Sequence, residues 1–206
     1  MIILDVDQGS EEWFAARCGI PTASCFDKII TSTGKSSTQN KGYCNKLVAE
    51  YFMGDKINVE QSEWMSRGVE LEPEARDYYE FQTDIEMSEV GLVYKNDRKM
   101  VSCSPDGLSG ERGLEIKCPA PHTHVEYLLA DKLPAKYVAQ VQGSMWVTGL
   151  KQWDFLSYHP DLPPLLLTVD ADDVFHAALD ELMKIFINSI LTNRNIISDK
   201  LQREAA

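Results

Sequence analysis

The sequence predicts one α/β domain over residues 1–206, with helices packed around strands, and three observations carry that prediction. The chain is long enough for a substantial core, and a single compact domain is expected at this length. Its composition, 44% hydrophobic and 25% charged, is that of a soluble globular protein. Short extended runs bounded by turn residues alternate with amphipathic helical patterns, and no internal repeat or domain-scale linker interrupts them.

Ile2 to Val6 reads as a short strand. Ser10 reads as the N-cap of a helix through Arg17, with Glu11 and Glu12 favourably placed against the helix dipole and Gly19 as its stop. Thr22 caps a second helix carrying Ser24, Phe26, Ile29 and Ile30. The polar, Gly- and Ser-rich stretch Ser32 to Gly42 is expected to be a mobile loop, and its G-K-S triplet lacks the earlier glycine of a phosphate-binding P-loop. Tyr43, Leu47, Val48, Tyr51 and Phe52 recur at helical spacing up to Gly54. Ser62 opens a long helical pattern through Phe81, which Pro73 should kink or split. Ile85 to Lys95 reads as strand and Asn96-Asp97 as a turn. Thr123 to Ala130 is a short helix, and Pro134 leads into another that Gly149 ends. On that helix Gln140 and Gln142 lie about 200° apart, so at most one of them faces a site. Trp153 to Tyr158 and Leu165 to Val169 are strands. An amphipathic helix from about Asp172 to Thr192 follows, with the tail from Ser198 expected to fray.

The chemistry concentrates between Ser102 and Pro119, S-C-S-P-D-G-L-S-G-E-R-G-L-E-I-K-C-P, which reads as a β-hairpin. Met100 to Cys103 is extended, Pro105-Asp106-Gly107 is turn chemistry and Leu114 to Cys118 is the returning strand. Alternation puts Glu115 and Lys117 on one face and Leu114 and Ile116 on the other. With Asp106 at the end of the partner strand, its carboxylate and that of Glu115 can share one divalent ion, because cross-strand Cβ atoms sit roughly 4.5–5.5 Å apart. Two acids and a lysine in that arrangement suit phosphodiester hydrolysis, since hard oxygen ligands bind Mg²⁺ and leave open positions for water and phosphate. Lys117 then either handles the attacking water or stabilises charge on the phosphate. The same residues also read as an Asp-Gly turn followed by a strand with a solvated polar face. Glu72, within the acid-rich E-L-E-P-E, reads as readily as surface.

The net charge of −12 lacks the basic footprint of proteins that grip nucleic-acid backbones. A nuclease can still confine its cations to a cleft behind an acidic exterior. Five cysteines without a C-x-x-C pair are expected as thiols of a reducing cytoplasm. The four histidines lack zinc spacing. Asp5 and Asp7 break the apolar run near the N-terminus, so no signal peptide is expected. No run reaches the roughly 18 apolar residues of a membrane-spanning helix.

Four segments together resemble the phage lambda exonuclease (YqaJ-type viral recombinase) family of PD-(D/E)xK nucleases. They are R-C-G-I-P-T-A-S (Arg17 to Ser24), S-P-D-G-L, L-E-I-K-C-P and A-Q-V-Q-G-S-M-W-V-T, in the family's order from about residue 10 to residue 158. The resemblance implies a restriction-endonuclease-like core, a central mixed β-sheet flanked by helices. It implies Asp106 and Glu115 as metal-binding acids, Lys117 as the catalytic lysine, the carbonyl of Ile116 as a further ligand and Glu72 as a helix-borne acid reaching the same metals. Arg17, Ser24 and Ser104 match a pocket for the 5′-phosphate of the cut strand, and Gln140 matches a glutamine lining the active site.

The implied activity is 5′→3′ digestion of one strand from double-stranded DNA ends, dependent on Mg²⁺ with Mn²⁺ as substitute. It releases 5′-mononucleotides and leaves a 3′ overhang for a phage-type single-strand annealing protein. The implied assembly is a ring-shaped homotrimer in a bacterial host cytoplasm, with contact patches expected near Trp64, Tyr78 and Trp153. The chain departs from the pattern at A-P-H-T-H (Ala120 to His124), where the lambda enzyme supplies another phosphate-binding arginine. Either His122 or His124 substitutes there, or the phosphate preference is weaker. Pro73 is not shared either. Cas4- or RecB-like nucleases of the same fold hold an iron–sulfur cluster by cysteines near both chain ends, whereas here no cysteine follows Cys118. A catalytically inactive DNA-end-binding protein is the reading from another class, and metal-dependent cleavage separates the two.

Overall fold

Parallel strands need a crossover, and the centre of this fold is one parallel pair with its crossover helices. In the computed structural model, which describes residues 1–55, 57 and 63–204 (side chains of 63–66 excepted), β5 (Arg112–Lys117) runs parallel to β6 (Gln152–Ser157). Helices α4 (Pro121–Ala130) and α5 (Ala135–Thr148) make the connection. β4 (Gly107–Leu108) and β7 (Leu165–Asp170) add antiparallel edges, giving a mixed sheet in the order β4-β5-β6-β7. A second sheet, β1 (Ile2–Leu4), β2 (Leu92–Tyr94) and β3 (Ser102–Cys103), is antiparallel in the order β1-β2-β3. The chain passes from β3 to β4 through Ser104, Pro105 and Asp106.

Alternation along the central strands divides the core. Leu114, Ile116 and Leu156 pack on Ala75 and Tyr79 of α3 (Glu63–Thr83). Trp153 and Phe155 join the larger cluster on the other side, with Phe26, Met145 of α5 and Leu179 of α6 (Asp173–Glu204). α1 (Glu11–Arg17) begins where expected, the Ser10 hydroxyl accepting from the Trp13 amide at 3.2 Å. The segment after Thr22 winds as a 3₁₀ turn, Ala23–Lys28. α5 comes so close to that turn that a Cβ on Gly143 would lie 2.3 Å from the Phe26 ring.

Several expectations need correction. The hairpin turns at Ser109, where the Ser109 amide donates to the Arg112 carbonyl; Pro105-Asp106-Gly107 instead leads into β4. In the stretch Ser32 to Gly42 a turn is closed by the Thr31 amide donating to the Lys35 carbonyl at 2.7 Å, and Asn40 already begins α2 (Asn40–Met53). Pro73 does not split α3, which continues as one helix with Leu71, Ala75 and Tyr79 packing on both sides of the missing N–H. Its expected start at Ser62 lies outside the described residues. α6 runs to Glu204, well past the expected end at Thr192. No Gly or Pro interrupts residues 193–204, and Arg194 ties the extension down by stacking 4.0 Å over Tyr51 and donating to the Gly19 carbonyl. Trp153 is fully buried, so it belongs to no contact patch, and Tyr78 packs on Tyr158 at 5.7 Å. The Trp64 side chain lies outside the described residues.

Below the sheet, Asp154 of β6 is 1% exposed. It accepts from the Tyr79 hydroxyl at 2.5 Å, from Arg112 at 3.0 Å and from the Thr168 hydroxyl at 2.6 Å. One carboxylate thus joins α3, β5 and β7. Asp154→Ala strands the partly buried Arg112 guanidinium and the fully buried Tyr79 phenol and is expected to cost about 3–5 kcal/mol of stability in urea unfolding. A loss under about 1 kcal/mol would show that the network is dispensable.

Candidate active site

The register of the β4–β5 ladder places Asp106 opposite Glu115. Gly107 pairs with Leu114, and the Asp106 amide continues the ladder by donating to the Leu114 carbonyl at 3.1 Å. The Asp106 carboxylate turns back to accept from the Ile116 amide at 2.6 Å. Glu115 is 1% exposed, and its Oε1 accepts from Lys117, two residues along the same strand face, and from the Gln140 amide of α5. Gln142 faces the opposite way, donating to the Asp170 carbonyl at 2.9 Å, so only Gln140 reaches this site. From α3, Glu72 points to the same region and pairs with Arg76 at 3.2 Å.

The charges act on one another. Burial pushes the Glu115 carboxyl up to about 8; Lys117 opposes the rise, while Asp106 and Glu72 add to it. Burial and then Asp106 push Glu72 up to about 7 against Arg76 and Lys117. Asp106 is raised too, by burial, against Lys117, the Ile116 amide and Arg76. Burial pulls the Lys117 ammonium down, but Glu115 and Asp106 outweigh it and hold it above its ordinary value. Burial is the first cause for all three acids, and Asp106 adds to the rise of both Glu115 and Glu72.

Among the described residues no three His, Cys, Asp or Glu side chains stand in a ready-made ligating group. Glu72 is turned to Arg76 and Glu115 to Lys117 and Gln140. A divalent cation nevertheless fits the donors. They are hard oxygens, Asp106 and Glu72 add to the burial that raises Glu115, and Glu115 Oε2 is buried with no hydrogen-bond partner among the described residues. The site residues of the β4–β5 hairpin, α3 and α5 therefore come together as a group.

Arg17, Ser24 and Ser104 form a second group. The Arg17 guanidinium donates to the hydroxyls of Thr22 and Ser24, both at 3.3 Å, and lies 3.8 Å over the Trp13 ring. Burial lowers its pKa from the ordinary value, and its Nε is buried without a partner among the described residues. Trp13 Nε1 donates to the Ser104 hydroxyl at 3.0 Å and to the Gly91 carbonyl at 2.8 Å. The two groups adjoin, because Asp106 follows Ser104 by two residues and Gln8 holds the intervening Pro105 carbonyl at 2.8 Å. A cavity of about 930 Å³ runs from Trp13 and Phe14 to Glu72, Arg76 and Asp106.

Trp13, Thr22, Gln8 and Arg76 escaped the sequence reading. Trp13–Arg17 and Glu72–Arg76 are i,i+4 pairs, and that spacing was the available signal. His124 does not stand in for a phosphate-binding arginine. It is fully buried, bonded to the Ser157 hydroxyl at 2.7 Å and to the Pro163 carbonyl at 2.9 Å. His122 is exposed at the start of α4.

A restriction-endonuclease-like core, with acids and a lysine at the meeting of its central strands, defines a nuclease. Residues 12–151 match the model of the YqaJ-like viral recombinase domain, and the chain belongs to that family. It is 31% identical to the alkaline exonuclease LHK-Exo of Laribacter hongkongensis, superposing with a TM-score of 0.85 over 94% of this chain and 99% of that one. A structure of LHK-Exo in complex with dAMP superposes with a TM-score of 0.84 at the same identity and coverage. A phage-related exonuclease from Haemophilus somnus 129PT, 15% identical, shares the fold with a TM-score of 0.69 over 88% of this chain and 96% of its own. The uncharacterized protein R354 of Acanthamoeba polyphaga mimivirus is 27% identical over 73% of the chain, which spans only 29% of that protein.

Asp106→Ala, Glu115→Ala and Lys117→Ala are each expected to lower DNA cleavage about a hundredfold or more with the circular dichroism spectrum unchanged. Near-wild-type cleavage by any one of them would place the chemistry elsewhere.

Proposed function

We propose that the protein is a Mg²⁺-dependent exonuclease that digests one strand of duplex DNA 5′→3′, releasing 5′-mononucleotides and leaving a 3′ overhang. The observation that carries this reading is the adjacency of the acid–lysine cluster to the Arg17–Ser24–Ser104 pocket. A nuclease that removes terminal nucleotides needs an end-reading pocket beside its hydrolytic groups, and a single residue, Pro105, separates Ser104 from Asp106. The complex of the related LHK-Exo with dAMP supports a mononucleotide product.

Glu72, Asp106, Glu115 and the carbonyl of Ile116 would hold Mg²⁺. When bound, Mg²⁺ supplies Lewis-acid polarisation of the phosphate and acidifies water. The chain's own groups do the rest. Gln140 donates to Glu115 Oε1 and so fixes the carboxylate's orientation. Lys117, beside Glu115 on the same strand face, is placed either to handle the attacking water or to stabilise negative charge on the phosphate. Arg17 offers a planar fork to phosphate oxygens, pre-oriented by the Trp13 ring, with the hydroxyls of Ser24 and Ser104 as further donors.

Digestion of a duplex labelled separately at each 5′ end tests polarity and product, because a 3′→5′ enzyme would leave the labelled terminal nucleotide until last. Arg17→Ala is expected to cost roughly ten- to a hundredfold on 5′-phosphorylated ends, the worth of a charged bidentate contact, and much less on 5′-hydroxyl ends. Equal losses on both would make Arg17 a general DNA contact.

The proposal extends to assembly: a ring-shaped homotrimer that encloses its substrate and delivers the overhang to a single-strand annealing protein in the bacterial cytoplasm. Among the described residues no helix is long and apolar enough to cross a membrane. The exposed Phe81, Leu129 and Val174, each more than four-fifths accessible, are candidates for the contacts between copies. Light scattering is expected to give a mass near three times 23.3 kDa at micromolar concentration. A strict monomer with distributive cleavage would reject the ring.

A further inference from the structure

We infer that Arg76 is the positioning residue of the metal-binding acids, holding Glu72 of α3 in register with Asp106 at the entrance to β4. The inference rests on the reading of Glu72 and Asp106 as metal ligands. Asp106 and Glu115 need no such help, because the β4–β5 ladder sets their separation. Glu72 arrives on a different element, and no strand pairing relates it to the other two.

Arg76 supplies that relation. Its Nη2 donates to Glu72 Oε1 at 3.2 Å, and its Nε donates to the backbone carbonyl of Asp106 at 3.1 Å. Its Nη1 meets the Glu89 carboxylate, in the segment before β2. The guanidinium side chain is 12% exposed, so these contacts are sheltered, whereas Glu89 is 75% exposed. A planar fork fixes the angles between its acceptors, and an ammonium group does not. Glu72, Arg76, Glu89 and Asp106 all line the same 930 Å³ cavity, so the clamp forms part of the cleft wall.

A second feature marks this turn of α3 as needing the brace. Pro73 follows Glu72 directly and has no N–H to donate back along the helix. The bond lost is the one residue 73 would make back to residue 69, on the N-terminal side of Glu72, and the Glu72–Arg76 pair ties Glu72 to the turn that follows. With Oε1 taken by Arg76, Oε2 remains for a shared cation. Bonds of this kind to ligating carboxylates are worth about ten- to a hundredfold in metal affinity.

Mn²⁺ binding to the metal-free full chain, followed by electron paramagnetic resonance, provides a readout independent of cleavage. Arg76→Gln is expected to weaken Mn²⁺ binding about ten- to a hundredfold. Arg76→Lys should recover part of the loss, since it keeps the charge and loses the fork. Combined with Glu72→Gln, Arg76→Gln should weaken binding no further than Glu72→Gln alone. Asp106→Asn serves as the control for the metal reading itself. If Asp106→Asn loses Mn²⁺ while Arg76→Gln binds as wild type, the positioning role fails and the metal reading stands. Losses that multiply in the double variant would also overturn it, because Arg76 would then act without Glu72. If Asp106→Asn binds Mn²⁺ normally, the metal reading fails and takes the inference with it. Should Arg76→Gln not fold by circular dichroism, Arg76→Lys takes its place in both comparisons.

Discussion

Burying the Glu115 carboxylate is the constraint to which the surrounding elements answer. An ionised carboxylate out of water costs several kcal/mol unless charge and hydrogen bonds are returned to it. Lys117 returns charge from the same strand face, and Gln140 returns a hydrogen bond from α5. Gln140 arrives there only because the parallel β5–β6 pair forces a crossover and α5 is its second helix. Gly143, one turn further along α5, admits the Phe26 ring and draws the 3₁₀ turn with Ser24 toward the same end of the sheet. Compensation of one buried acid and placement of the Ser24 hydroxyl beside Arg17 thus come from a single helix.

A second support lies behind Arg17. Gly19 has φ of 72°, a left-handed conformation in which a side chain is strained, and both of its peptide groups are held. Its amide donates to Glu50 of α2 at 3.2 Å, and its carbonyl accepts from Arg194 of α6. Glu50 is 1% exposed, so this bond is sheltered from solvent. The direction of the chain leaving α1, and with it the seat of Arg17 between Trp13 and Thr22, therefore depends on two helices that touch no part of the acid cluster. The unexpected length of α6 has its structural reason here.

What the sequence disclosed about the fold follows from how local each signal is. The Ser10 cap, the Gly54 and Gly149 stops and the alternation of Leu114 to Lys117 depend on neighbours within a few residues, and all appear in the structure. The hairpin turn was misplaced because Pro105-Asp106-Gly107 carries turn chemistry wherever it stands, and only pairing with β5 reveals that it enters a strand. Trp153 was misplaced because its burial depends on Gly113 across the ladder, where a Cβ would lie 2.3 Å from the ring. The site residues came from resemblance more than from spacing, since Glu72, Asp106 and Gln140 meet only in three dimensions. His124 illustrates the converse: its ring is occupied by Ser157 and Pro163, partners more than thirty residues away.

The acidic composition becomes intelligible once the cations are placed. The chain has 20 Lys and Arg against 32 Asp and Glu, yet Arg76 lines the cleft, Lys117 pairs with Glu115, and Arg17 lies in the proposed phosphate pocket beside it. Because the net charge is −12, nucleic acid approaching elsewhere meets an excess of acidic groups. Glu72 and Asp106 line the cleft and Glu115 lies behind them, each carboxyl pushed up chiefly by burial. On the proposed reading, phosphate is repelled from these acids until a divalent cation neutralises them, which ties productive DNA contact to metal occupancy. A basic exterior would bind DNA without that condition. For an enzyme that must engage ends and spare the rest of the duplex, net acidity is then part of the selectivity.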